Sequence, residues 1–453
     1  MTGPLKELLA NGSWVLSASS ARTALAFGKS VLLVRGLGTD GYGSYVFITV
    51  LVATSLEFTN LNLATVFTKF GADSIARNAW SDLKRLYRTL GLVTAGCMGV
   101  GALVAAALLL GPDGTKAYTA AIQWPVLVLV AVAMSAPPLE SLMLARVKLL
   151  GDFKSTSLLA TAASFMEVAA VAAAVLVRPG DLEVLLVLWS GARVLITVLH
   201  WLVCRSRFMQ LEEAFRGANH AGVPISTIAH PNPAAVRLPR GIWSFALKNS
   251  LARTGATLLD RGDVLILGAL AQAGDIALYD VAKKLGYLFL RLTDPLMDAV
   301  FPQVARQLSS GNRSDTVSVW ARSSALVAVA AVAFMAGVLA FGGWALVEIF
   351  GEDLMGAYPA LVWHAAGASV SGILYWAVSG VIVTNRLGFR IAATFAVALI
   401  AGLGAVYVLP ADSATIMAGF SAIAKAFLAV TLAATAVQAV LMDRTPLKAS
   451  GLA

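Results

Sequence analysis

The 453-residue chain is 58% hydrophobic and 13% charged, with a mean hydropathy of +0.78. A soluble domain carries about 25% charged residues, so this composition excludes one large water-soluble core and points to an all-α polytopic membrane protein. The net charge of +9 would point to nucleic acid in a soluble protein; its distribution here gives it another meaning, and no nucleic-acid partner is expected.

In chain order, twelve apolar segments come near the ~20 residues that cross a bilayer. They run over 14–34, 42–66, 87–110, 118–141, 155–177, 183–204, 242–270, 277–303, 322–347, 360–383, 389–409 and 413–441. Helix is the expected state, because lipid offers the backbone no hydrogen-bond partner. The first segment is long and charged and lacks a clear cleavage site, so it is expected to be a span and not a signal peptide. The connections alternate in charge. One set, from Lys6 to Lys448, holds 21 basic residues, whereas the other holds only Arg35, Lys116 and Arg178. By the positive-inside rule both termini are expected in the cytoplasm.

The outer connections are short, the longest near 111–117 and 348–359, and none could form a domain. The largest connection, about 205–241, contains Pro224, Pro231, Pro233 and Pro239 and reads as a cytoplasmic linker with an amphipathic helix at 206–216. The expected organisation is a six-helix bundle at 1–204, a linker at 205–240 and a second six-helix bundle at 241–453. The halves repeat weakly. "ART" occurs at 21–23 and at 252–254, 231 residues apart. At an offset of 234, Tyr45, Leu51, Leu56, Thr59, Val66 and Phe67 meet identical residues at Tyr279, Leu285, Leu290, Thr293, Val300 and Phe301. Both halves start on the same side, so the pseudo-symmetry is that of a parallel repeat.

A charge at the centre of a membrane helix costs roughly 2.5–3.5 kcal/mol and usually faces protein or water. Arg22 and Lys29 are seven residues apart and share a face of the first span; Arg253 and Asp260 repeat that spacing in the seventh. The eighth carries Lys284, Arg291 and Asp298 at sevens, with Asp294 a turn from Arg291, and Glu57 is the counterpart of Arg291 in the second. Glu167, Arg193 and Lys425 lie in spans 5, 6 and 12. One reading is a polar central cavity between the halves, lined by spans 1, 2, 7 and 8. Its cations would bind an anionic headgroup such as a phosphate. The competing reading is mutual neutralisation, with Arg291 against Asp294 and Asp280 against Lys283 or Lys284. Arg22 and Lys29 have no acid on their own helix and are expected to line the path, while Lys248 is expected to snorkel. Pro125 and Pro295 are expected to kink spans for packing. His200, His220, His230, His364, Cys97 and Cys204 show no metal or disulfide spacing, so neither a metal nor a cofactor is expected. No nucleophile motif or phosphate loop is present, which favours a transporter over an enzyme.

The stretch VRGLGTDGYGSYVFITV, with Arg35, Leu37, Gly38, Tyr42, Gly43 and Tyr45, resembles the opening of the polysaccharide transporter (Wzx-type O-antigen or exopolysaccharide flippase) family. That family belongs to the multidrug/oligosaccharidyl-lipid/polysaccharide exporter superfamily. The stretch 258–286 is similar to the family's seventh span, through Asp260, Arg261, Leu267, Gly268 and Tyr279; Ala277 departs from the more usual glycine. The resemblance implies two six-helix bundles around a central cavity in the bacterial inner membrane. Such a transporter would move undecaprenyl-pyrophosphate-linked oligosaccharide between leaflets by alternating access. The implied partners are that lipid-linked oligosaccharide, membrane lipid and other polysaccharide-assembly proteins. The expected cationic cavity comprises Arg22, Lys29, Arg193, Arg253, Arg261, Lys284 and Arg291. Glu57, Asp260 and Asp294 are the candidates for coupling to H+ or Na+. A cation-coupled drug or metabolite exporter would instead have an acid-dominated cavity. A membrane polysaccharide polymerase or ligase would carry a sizeable outer loop.

Overall fold

A computed structural model describes residues 3–76, 80–111, 113–220, 241–291, 293, 313–384, 386–408 and 413–442. All regular structure among them is helical. The chain divides into two compact units. Unit 1 is Met1–Gly36 with Leu51–Leu251, and unit 2 is Leu37–Val50 with Ala252–Ala453.

The first helix, α1 (Gly3–Thr59), holds two of the expected spans. A straight helix of its 57 residues would run roughly 85 Å, against a hydrocarbon thickness of about 30 Å. The break comes at Gly38, whose φ of 71° and ψ of 178° leave the helical region. That conformation is essentially reserved for glycine.

Unit 1 continues with α2 (Leu63–Ala76), α3 (Trp80–Leu110), α4 (Asp113–Thr119), α5 (Trp124–Met134), α6 (Pro137–Lys148), α7 (Phe153–Val177), α8 (Leu182–His220) and the start of α9 (Ile242–Leu270). Its core includes Val66, Phe67, Leu83, Leu90, Leu142 and Phe208. Pro125 does not kink a span as expected. It stands in the first turn of α5, where its missing N–H costs nothing. Pro137 and Pro138 open α6 in the same way, so the expected span 118–141 is built from three shorter helices. Asp152 caps α7 by accepting from the Ser155 amide at 2.9 Å. The helix expected at 206–216 is the continuation of α8, held down by buried Phe208. Residues 221–240 of the expected linker, and Pro295, lie outside the described residues.

Unit 2 contains the middle of α1, the rest of α9, α10 (Ala273–Gly286), α11 (Arg313–Phe350), α12 (Tyr358–Ile373), α13 (Ala377–Val383), α14 (Leu387–Val408) and α15 (Ser413–Met442). Trp320 and Trp376 stack at 4.4 Å in its core. The unit boundaries differ from the division expected from chain order, and two close approaches give the reason. A Cβ on Gly43 would lie 1.7 Å from the Ala273 carbonyl oxygen, and one on Gly268 would lie 2.0 Å from the Phe47 ring. Residues 37–50 therefore pack with α9 and α10, and the cut falls at 251–252 and not within 205–240.

Eight helical stretches among the described residues are long and apolar enough to cross a membrane, and the 43-residue Ser17–Thr59 stretch covers two expected spans. The expected spans at 242–270, 277–303 and 360–383 fall on α9, on α10 and beyond, and on α12 with α13. Large apolar side chains on these helices stand exposed, among them Leu103, Leu176, Leu326, Val329 and Leu403. Such faces suit lipid and not water.

Candidate functional site

Each unit encloses its own network of charged side chains. In unit 1, Glu167 of α7 joins two cations. Lys29 of α1 donates to one carboxylate oxygen at 2.7 Å, and Arg193 of α8 donates to the other at 2.9 Å. Arg193 also reaches Glu140 of α6 at 3.3 Å, and Thr197 donates to Glu140 at 2.6 Å. Two cations and two carboxylates thus cancel across four helices. Four-fifths or more of each side chain is buried, apart from 22% exposure at Lys29.

Arg22 is placed differently. Its Nε donates to the Ala18 carbonyl one turn back at 3.3 Å, and Lys148 of α6 lies within range of its charge. Neither Arg22 nor Lys148 has a carboxylate partner among the described residues. Three other cations of this unit are engaged. Arg146 lies 3.3 Å from the Phe208 ring centroid, Lys84 pairs with Glu212 at 2.9 Å, and Arg207 pairs with Asp152 at 3.1 Å.

In unit 2, buried Asp263 of α9 accepts from Tyr279, from Lys283 at 2.8 Å and from Ser421 at 3.1 Å. Lys283 also donates to the Asp260 carbonyl, and Lys425 of α15 donates to the Asp260 carboxylate at 3.1 Å and to Tyr287. Two lysines again balance two aspartates. Asp263 and Ser421 border a cavity of about 50 Å³ whose other walls include Gly262, Ile266 and Met417. His364 is fully buried, with the Tyr279 and Tyr287 rings edge-on at 4.8 and 5.6 Å. At the rim, Lys284 pairs with Asp280 at 2.8 Å and donates to Tyr42 at 2.7 Å, while Tyr42 donates to Asp280.

The expected residues therefore separate. Lys29 and Arg193 share one network, Lys284 is paired locally as the neutralising reading expected, and Arg261 is half-buried beside Asp260. Lys29 has no acid on its own helix but meets one from another, Glu167 of α7. Arg253 and Arg291 are exposed, and Glu57 is buried in unit 1. Asp294 and Asp298 lie outside the described residues. Chain-order reading missed Asp263, Lys283, Tyr279, Glu140 and Lys148 as site residues. An acid and a base in two different apolar segments are the signal that could have paired them.

Comparison with known proteins follows the same lines. A family model described as "Polysaccharide biosynthesis protein" matches residues 8–307. No curated protein matches. Among solved structures, the chain is similar to an inward-facing multidrug resistance MATE family transporter of the MOP superfamily. That match has 10% identity and a TM-score of 0.66, and covers 94% of this chain and 96% of the other. An outward-facing MATE family transporter matches with 11% identity, a TM-score of 0.59 and 97% coverage of both chains. A MOP superfamily transporter from Pyrococcus furiosus, described as having a binding pocket of reverse polarity, matches with the same identity, coverage and TM-score, 11%, 97% and 0.59. The fold is that of these transporters, and the chain is a multi-pass membrane protein.

Proposed function

Because the chain belongs to the polysaccharide biosynthesis protein family, we propose that it translocates a lipid-linked oligosaccharide with a pyrophosphate headgroup across the bacterial inner membrane. The single observation that carries this reading is the pair Arg22 and Lys148 of unit 1: each lies within range of the other's charge, and neither has a carboxylate partner among the described residues. Such a pair gains an anion at little cost, and Arg presents a fork that suits phosphate oxygens. The lipid tail stays in the bilayer while the headgroup crosses by alternating access. Carrying bare phosphate through hydrocarbon would be prohibitive, and the cations of the path lower that cost.

The family match favours polysaccharide over drug as cargo, since the multidrug transporters share the fold at only 10–11% identity. Of the two aspartates of the unit 2 network, Asp260 is the more open to a coupling cation such as Na+. Its side chain is 57% exposed, whereas that of Asp263, at 5%, is closed in by three donors. The test is single replacement of Arg22, Lys29 and Arg253 by Ala in cells that depend on this protein for surface polysaccharide, at matched protein levels. Arg22→Ala is expected to cut surface polymer about tenfold, the effect of losing roughly 1.4 kcal/mol of binding. Unaltered polymer in all three variants overturns the assignment.

A further inference from the structure

The unit 1 network contains a site that is already filled. Glu167 presents one oxygen to the Lys29 ammonium at 2.7 Å and the other to the Arg193 guanidinium at 2.9 Å. Two cationic donors converging on two oxygens of one group is also what a phosphate requires. The network is graded. Lys29 and Glu167 keep 22% and 18% of their side chains exposed, whereas Arg193 and Glu140 keep 11% and 9%. Glu140 holds Arg193 from the inner side, itself fixed by Thr197. Arg193 therefore keeps a counter-charge without Glu167. Lys29 does not, for Glu167 is its one carboxylate partner among the described residues.

We infer that Lys29 and Arg193 form a phosphate subsite that Glu167 occupies as a tethered stand-in, and that a substrate phosphate displaces it. The inference rests on the function proposed above and adds to it how the subsite is guarded. Glu140 would keep the subsite assembled during the exchange, and the displaced carboxylate turns toward its exposed side. A tethered carboxylate competes at an effective concentration in the millimolar range or above. A single weak anion such as chloride loses that competition. A pyrophosphate wins it because it also meets Arg22. Arg22 and Lys29 stand on one face of α1, seven residues and about 10 Å apart. The anion thus meets the open cation and the guarded one in succession.

The test is inorganic pyrophosphate binding to the purified full chain in lipid nanodiscs, measured by calorimetry for wild type, Glu167→Gln, Arg22→Ala and the double variant Glu167→Gln/Lys29→Ala. Removing the competitor is expected to tighten binding about tenfold, and removing Lys29 as well is expected to abolish the gain. Equal or weaker binding by folded Glu167→Gln overturns the inference. If wild type binds and Arg22→Ala does not, the transport reading stands in either case. A second measurement uses the unaltered protein. Saturating pyrophosphate is expected to raise carbodiimide labelling of Glu167 by at least about threefold, as its ion pairs are lost; unchanged or slower labelling overturns the inference.

Discussion

Lys283 crosses from α10 to Asp263 of α9 at 2.8 Å, where the two side chains are only 11% and 5% exposed. Losing one partner of such a pair strands the other charge, at a cost of about 3–5 kcal/mol. Lys283→Ala is therefore expected to lower the melting temperature of the purified protein sharply. Lys283→Met combined with Asp263→Asn should recover most of the loss, because no charge is then stranded and the Asn oxygen can still accept from Tyr279 and Ser421. A wild-type melting temperature for Lys283→Ala would show that the pair contributes nothing to stability. At this scale the sequence exposed which side chains were costly but not what they touched. Arg22 and Lys29 look alike along α1, yet Lys29 meets Glu167, 138 residues away, while Arg22 meets a backbone carbonyl of its own helix. Spacing along one helix reveals a shared face. It carries no information about the helix packed against that face.

Gly38 and Gly43 set the shape of the turn within α1. Gly38 adopts a φ of 71°, and Gly43 allows the Ala273 carbonyl to approach where a Cβ would stand 1.7 Å away. Gly43→Ala requires backbone movement and is expected to cost more than the ~1–3 kcal/mol of ordinary overpacking, read as loss of monodisperse protein on gel filtration. Gly96→Ala on α3, with open space around it, is the matched control and should be neutral or slightly stabilising. Equal behaviour of the two variants would contradict the close approach. The apolar segments were legible because a membrane helix needs a long unbroken run. The motif at 35–45 was legible as a resemblance, and its physics is now visible in the break at Gly38, the contact at Gly43 and the hydrogen bond from Tyr42 to Asp280. The assignment of 37–50 to unit 2 was not legible, since chain order says nothing of which helices a turn joins. The proline-opened helices α5 and α6 together make one apolar stretch, Trp124–Lys148, near the single span expected at 118–141.

At the scale of the molecule, each unit holds a neutral set of two cations and two acids, and unit 1 also holds Arg22 and Lys148, neither of which has a carboxylate partner among the described residues. These two cations are the feature on which the proposed anionic cargo rests, and the split of 21 basic residues against three in the connections is the feature from which loading at the cytoplasmic face is expected. The most direct measurement is transport itself. The purified protein is reconstituted into proteoliposomes with undecaprenyl-pyrophosphate-linked oligosaccharide placed in one leaflet, and the glycan reaching the other leaflet is followed by its access to a lectin. Wild type should equilibrate the leaflets and Arg22→Ala should slow that exchange about tenfold, as loss of roughly 1.4 kcal/mol implies. Exchange by wild type no faster than in protein-free vesicles would contradict the account.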